Sequence, residues 1–195
     1  HNHGMQTLTL FRFYRPSDMT FPIVILPSSS LRTPSRTLQK KDLSLLQSHG
    51  IIQELIPTMY QAKGIGIAAP QIGIAKDEYR MLVGTDIPEP ATTLDKNNGV
   101  SLFGLNIALC VISKEAFPKE FRLTSDEPPL TKDLILINPS YERIGKKTVL
   151  EEEACLSVPG AHGPVKRWKD IRGSARLSDG ASASFDAHHY FARVI

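Results

Sequence analysis

The sequence predicts a mixed α+β fold, on three observations: one amphipathic helical stretch, several short strand-like apolar runs, and Pro and Gly punctuation between them. From Asp42 to Lys63, the residues Leu43, Leu46, Ile52, Leu55, Ile56 and Met59 recur largely at spacings of three and four, the mark of a helix with one apolar face. Pro57 removes a backbone donor and crowds the carbonyl of Gln53, so a kink or two shorter helices are expected there. The strand-like runs are Phe21 to Leu26, Met81 to Val83, Leu134 to Ile137, Thr148 to Leu150, and a stretch near Ile171 to Leu177. A Pro-, Asn- and Gly-flanked segment at about 86–133 carries its own apolar patch, Val100 to Ile112. It is too short for an independent core and reads as an insertion within one domain covering 5–195. Cys110, inside that patch, reads as a small buried hydrophobe.

Composition narrows the function classes. With 41% hydrophobic and 22% charged residues, the 195-residue chain has the balance of a globular domain rather than of a disordered one. Lys and Arg number 23 against 20 Asp and Glu, and a net charge of +3 is too small to suggest nucleic acid as the main partner. Two cysteines exclude both a disulfide scaffold and a zinc site built mostly of thiolates. No apolar run approaches the roughly 18 residues of a membrane span, so no membrane partner is expected. His1 to Gly4 reads as the remnant of a purification tag and is given no metal role. From Met5 to Lys41 there are six basic residues and one acid, Asp18, which suits either an organellar transit peptide or a basic cytosolic N-terminus.

Chemistry concentrates in two stretches. In Gly64-Ile-Gly-Ile-Ala-Ala-Pro-Gln71, alternating glycine lets an extended backbone be approached closely, which suits recognition of a peptide by strand addition. Pro70 fixes a turn, and the Gln71 amide can donate to a substrate oxygen. A bare Gly-x-Gly also fits a simple turn after a helix; it is not a dinucleotide fingerprint, since the third glycine is missing. The second stretch is Glu151-Glu-Glu-Ala-Cys-Leu-Ser157. Three acids ahead of Cys155 disfavour a free thiolate, whereas a bound divalent cation would hold the thiol deprotonated.

Together the two stretches resemble the peptide deformylase family. The first matches the family's Gly-Φ-Gly-Φ-Ala-Ala-Pro-Gln motif throughout, Φ being apolar; the second matches Glu-Gly-Cys-Φ-Ser except that Ala154 replaces Gly. Met59-Tyr60, Leu136-Ile-Asn-Pro139 and Val158-Pro-Gly160 flank the motifs in the family's order. The resemblance implies mixed, mainly antiparallel sheets packed around a helix. It also implies a hydrolase that removes the N-formyl group from the initiator methionine of nascent chains at the ribosome. Family members use one divalent metal, natively Fe2+ and often Zn2+ or Ni2+ in preparations. The metal is held by the motif Cys and two His, and a Glu serves as base. Carried over, Cys155 is the thiolate ligand, and the Gln71 amide with the Leu156 N–H stabilises the oxyanion. Ile65 and Gly66 offer backbone bonds to N-formylmethionyl peptides, and Arg167 pairs with Glu153 to brace the metal loop. His162 falls at the pocket rim.

The family's third motif, His-Glu-x-x-His on a helix, does not occur here. Phe191-Ala-Arg-Val-Ile195 resembles the segment just ahead of it, so the metal-ligand helix is expected beyond Ile195, and metal is expected to be absent or weakly held by these residues alone. His188 and His189 are no substitute: neighbours on a helix point about 100° apart, and they read as polar residues near a helix start. Three readings follow: a deformylase whose ligand helix lies outside this sequence, with this chain inactive as it stands; a degenerate relative that binds peptides without catalysis; and a cysteine hydrolase using Cys155 with His162. Ala154 favours the second if its position needs positive φ, which would strain alanine by about 1 kcal/mol. The basic start and the insertion suggest a mitochondrion or another organelle, the alternative being a bacterial cytoplasm.

Overall fold

The computed structural model describes residues 20–84, 93–94, 101–124 and 126–195. The tag remnant, the basic stretch up to residue 19 and most of 85–100 lie outside the described residues. The helical stretch divides into α1 (Lys40–Ser48) and α2 (Ile51–Gln61), but the break falls at Gly50, whose φ of 69° is left-handed, rather than at Pro57. Pro57 sits inside α2 because it and Gln53, whose carbonyl loses its donor, both face solvent, where water can replace the missing bond. Met81 to Val83 is not a strand; it closes α3 (Lys76–Val83), which buries Tyr79, Leu82 and Val83 at helical spacing and stops at Gly84, φ 93°. A three-residue apolar run cannot distinguish the two periods.

Five strands form the main sheet in the order β1 (Gly66–Ala68), β5 (Leu109–Ile112), β6 (Leu134–Arg143), β9 (Asp170–Arg176) and β10 (Ser182–His188). Every ladder of this sheet is antiparallel, and parallel pairing is confined to the isolated bridge of Arg36 with Ile107 among the described residues. A small sheet joins β2 (Gly73–Ile74), β4 (Ser101–Gly104) and β3 (Thr93–Leu94), and β7 (Thr148–Cys155) with β8 (Val158–Trp168) forms a long hairpin. The final helix, α4, is His189–Val194, and His188 is its N-cap, in line with the reading of the two histidines.

The stretch at 86–133 is not an excursion over its whole length. Its β5 lies between β1 and β6, and Leu105, Ile107, Leu109 and Val111 are among the most buried side chains. Both faces of β5 and β6 are covered, so their sequences read as unbroken apolar runs without alternation. Leu109, Val111 and Ile137 face α1 and α2, whereas Ile112, Leu134 and Leu136 face a second cluster with Phe117, Phe185 and Phe191. Cys110 packs against that second cluster, and burial pushes its thiol up to about 12, so it stays neutral.

Asn138 explains part of the Leu136-Ile-Asn-Pro139 motif. It takes φ 52° at the irregularity in β6, and its amide bonds both the N–H and the carbonyl of Leu38, each at 2.8 Å. Phe21 to Leu26 forms a single bridge, Ile23 to Ile72, instead of a full strand. The Val24 N–H donates to the Gln71 carbonyl and the Leu26 N–H to that of Ser157, so this segment steadies both motif stretches.

Candidate active site

Both motif stretches meet at one end of the molecule. β1 is an edge strand of the main sheet, paired only with β5. The Ser113 N–H donates to the Ile65 carbonyl at 2.9 Å, which turns the Ile65 carbonyl toward β5. Two residues past Gly66, the Ala68 N–H points the other way and donates to Gln71 Oε1 at 2.9 Å. The alternation of an antiparallel ladder therefore directs the Gly66 N–H and carbonyl to the open side of the sheet. Of the two residues expected to bind a peptide backbone, Gly66 faces that edge, while Ile65 offers a half-exposed side chain.

The glycines serve close approach within the chain. A Cβ on Gly64 would meet Leu156 Cδ1 at 2.8 Å, so Gly64 lets the Cys-Leu-Ser turn lie directly against the strand. At Gly66 the nearest atoms would be the Val111 carbonyl oxygen and Val194 Cγ1, both at 3.5 Å.

Gln71 ends the short 3-10 turn Ala69–Gln71. With its oxygen held by Ala68, its Nε2 approaches Ser157 Oγ at 3.3 Å and Cys155 Sγ at 3.7 Å. The amide donor is thus fixed beside the thiol before any substrate arrives. Cys155 is exposed where β7 turns into β8, and Ser157 behind it is buried. Ser157 belongs to the motif but received no role from the sequence, because nothing there shows that its hydroxyl meets Gln71 across 86 residues.

Glu153 anchors the hairpin. Arg167 reaches both its carboxylate oxygens, Nη2 to Oε2 at 2.9 Å and Nε to Oε1 at 3.2 Å, as the resemblance implied. Arg193 of α4 adds a contact to Glu153 Oε1 at 3.5 Å and donates to the Glu152 carbonyl at 2.8 Å. Nothing in the sequence signals Arg193, since the contact joins segments 40 residues apart. The Arg167 hydrogen bond, aided by Arg193, holds the Glu153 carboxyl below its ordinary pKa. Its stabilising effect is complete at neutral pH and is lost as pH falls through that depressed value. Glu153→Gln is therefore expected to lower the melting temperature at pH 7, by an amount that shrinks as pH falls through that depressed value, as thermal melts across pH would show.

Ala154 is not among the positive-φ residues; it lies in β7 opposite His162, so the strain that would have favoured a degenerate relative is absent. His162 Nδ1 is 3.1 Å from Glu152 Oε2 on the exposed hairpin, and the His188 ring is 2.9 Å from Asp170. Neither partner is Cys155, so no Cys–His pair forms with these two histidines.

The donors around Cys155 are one thiol, one amide and one hydroxyl. Among the described residues no three His, Cys, Asp or Glu side chains come together in a metal-holding group. The described residues therefore do not by themselves fit the divalent metal that the motifs imply; they supply one soft ligand, Cys155.

The sequence and the fold are similar to those of known proteins. Peptide deformylase 1A, chloroplastic, of Solanum lycopersicum is 27% identical over 165 residues, covering 85% of this chain and 50% of that protein. A peptide deformylase of Microchaete diplosiphon is also 27% identical over 165 residues, covering 85% of this chain and 65% of its own length. The crystal structure of a peptide deformylase from Synechococcus elongatus in complex with actinonin superposes with TM-score 0.60 at 26% identity, covering 89% of this chain and 71% of that one. The chain thus spans about half to two thirds of the length of these two curated relatives. The polypeptide deformylase family model matches residues 20–195, taking in the edge strand, Gln71 and the Cys155 hairpin, and this chain belongs to that family.

Proposed function

We propose that this chain forms the peptide-binding and thiolate-bearing part of a deformylase that hydrolyses the N-formyl group from N-formylmethionyl peptides. The observation that carries the proposal is the Gln71 amide, fixed by Ala68 and presented 3.7 Å from Cys155 Sγ, beside an edge strand with an open backbone. In this reading a peptide adds to β1 through the Gly66 N–H and carbonyl, placing its formyl oxygen toward Gln71 Nε2 and the Leu156 N–H. Cys155 is the chain's metal ligand, while Glu153, Arg167 and Arg193 keep its hairpin in place. The metal, Fe2+ with Zn2+ or Ni2+ as alternatives, requires further ligands and a general base that the described residues do not bring to Cys155. Accordingly these 195 residues alone are expected to hold metal weakly and to turn over little substrate.

Titration of the 195-residue chain with N-formyl-Met-Ala-Ser tests the binding half. The Gly66 backbone amide and the Gln71 side-chain amide are expected to shift in NMR spectra. Shifts confined to residues elsewhere, or none, would contradict it. Nascent chains emerging from the ribosome are the proposed natural substrates. The relatives' plastid and cyanobacterial origins support an organelle or a bacterial cytoplasm as the setting, without singling out a mitochondrion.

A further inference from the structure

β1 has three residues and a ladder on one side only, so the order of its backbone depends on how its two ends are held. At Ala68 the hold is the Gln71 side chain. At Ile65 it is Ser113, whose N–H donates to the Ile65 carbonyl at 2.9 Å. Ser113 is itself tied down by side chains from two other elements. Its hydroxyl lies 3.0 Å from the Tyr60 hydroxyl on α2, and Tyr60 donates at 2.7 Å to Oδ1 of Asp133, the residue ahead of β6. Ser113 and Asp133 emerge side by side because Ile112 of β5 pairs with Leu134 of β6.

The protons set the direction of this chain. Tyr60 gives its one hydroxyl proton to the carboxylate, so Ser113 donates to the Tyr60 oxygen. Ser113 Oγ then accepts the Glu115 N–H at 3.2 Å, and Asp133 Oδ1 also accepts the Lys114 N–H at 2.9 Å. Burial, and after it the Asp133 hydrogen bond, push the Tyr60 hydroxyl above its ordinary pKa, so it stays a donor at neutral pH. Ser113 is fully buried, whereas the Tyr60 side chain is half-exposed. Ser113 thus closes the connection from α2 to β1 at both ends, with its hydroxyl on Tyr60 and its N–H on Ile65. Gln71 and Cys155 lie beyond this hold, since their amide and thiol are fixed from the Ala68 side.

We infer that Tyr60, Ser113 and Asp133 are positioning residues for the substrate: they keep the Ile65 end of β1 extended, so that the Gly66 N–H and carbonyl stand ready for an added peptide strand. The inference rests on the peptide-binding reading of the Gly66 edge. Without the hold, a peptide has to order the strand as it binds, so affinity falls while the chemistry at Gln71 and Cys155 is left alone.

Two measurements on the 195-residue chain test it: amide hydrogen exchange at Ser113, and NMR titration with N-formyl-Met-Ala-Ser followed at Gly66. In Tyr60→Phe the Ser113 amide is expected to exchange at least about fivefold faster, and the peptide Kd to rise about fivefold, the usual effect of losing one hydrogen bond. Asp133→Ala should match it, whereas Asp133→Asn keeps an oxygen for the Tyr60 hydroxyl and should retain most of the affinity. Tyr60→Phe combined with Asp133→Ala should bind no more weakly than Asp133→Ala alone, because the two side chains act as one unit. Ile171→Val, in the second core cluster, controls for lost stability and should leave Kd unchanged. In the protein from its complete reading frame, Tyr60→Phe should raise KM with kcat unchanged. Unaltered affinity in Tyr60→Phe would overturn the inference whether or not Ser113 exchange quickens. So would weaker binding without faster Ser113 exchange, an equal loss in Ile171→Val, or a change in kcat alone. A wild-type chain whose Gly66 amide the peptide leaves unshifted would instead overturn the peptide-binding reading, and the inference with it, while Ser113 exchange still reports the hold on Ile65.

Discussion

Replacing Cys155 by alanine is expected to abolish formate release from an N-formylmethionyl peptide, by at least about 10³-fold, while leaving the fold intact. The thiol is the one soft donor beside the Gln71 amide, and Ser157 and Gln71 cannot substitute for its charge. It contributes little to stability, because it is exposed and belongs to neither core cluster, so the melting temperature should move by the equivalent of about 0.5 kcal/mol or less. Gln71→Ala should cost about 10²–10³-fold, the usual loss for one oxyanion donor, and should also release the Ala68 N–H that fixes the turn. Both are read as kcat/KM in the protein from its complete reading frame, alongside thermal melts. A Cys155→Ala variant that kept a tenth of the activity would remove the thiol from the mechanism.

The largest expected effect on stability lies away from the chemistry, at Gly104. A Cβ there would sit 2.5 Å from the Pro70 carbonyl oxygen and 2.6 Å from Ser30 Oγ, with Ser30 Cβ at 2.9 Å. Neither side can yield easily: Ser30 is fully buried, and Pro70 belongs to the 3-10 turn that aims Gln71. Gly104→Ala is therefore expected to destabilise by about 3 kcal/mol or more, and to weaken peptide binding in whatever fraction remains folded. Gly163→Ala is the control, since nothing lies within 4 Å of its added carbon; it should stay within about 0.5 kcal/mol. Urea denaturation of the two variants compares them directly, and similar midpoints would contradict the packing account.

Much of the site was legible because its residues sit in two short contiguous stretches, each with its own local geometry. Gln71 and Cys155 stand in the motifs, and the resemblance implies a pairing of Arg167 with Glu153; in the structure Gln71 Nε2 approaches Cys155 Sγ, and Arg167 bonds Glu153. What stayed hidden depends on contacts between distant segments. Ser157 meets Gln71, Arg193 meets the acids of β7, and Asn138 clamps Leu38 across 100 residues. No periodicity in one sequence encodes such pairings. The fold class follows from helix and strand periods, whereas the Pro, Asn and Gly flanks that make Val100 to Ile112 read as part of an insertion cannot show that β5 pairs with β1 and β6, which are far from it in the chain. Met81 to Val83 was too short for its period to be read, and burial at helical spacing decided it. Ala154 shows the reverse case, in which a departure from a motif suggested strain that the extended backbone of β7 removes.

The central claim is that the Gly66 edge and the Gln71–Cys155 pair serve hydrolysis of a formyl group and not peptide binding alone. Formate release from N-formyl-Met-Ala-Ser by the protein from its complete reading frame, loaded anaerobically with Fe2+, tests it most directly. The account predicts one formate for each new methionyl amino terminus, with release lost in Cys155→Ala. Peptide that binds at Gly66 and is recovered still formylated, with iron retained, would contradict it.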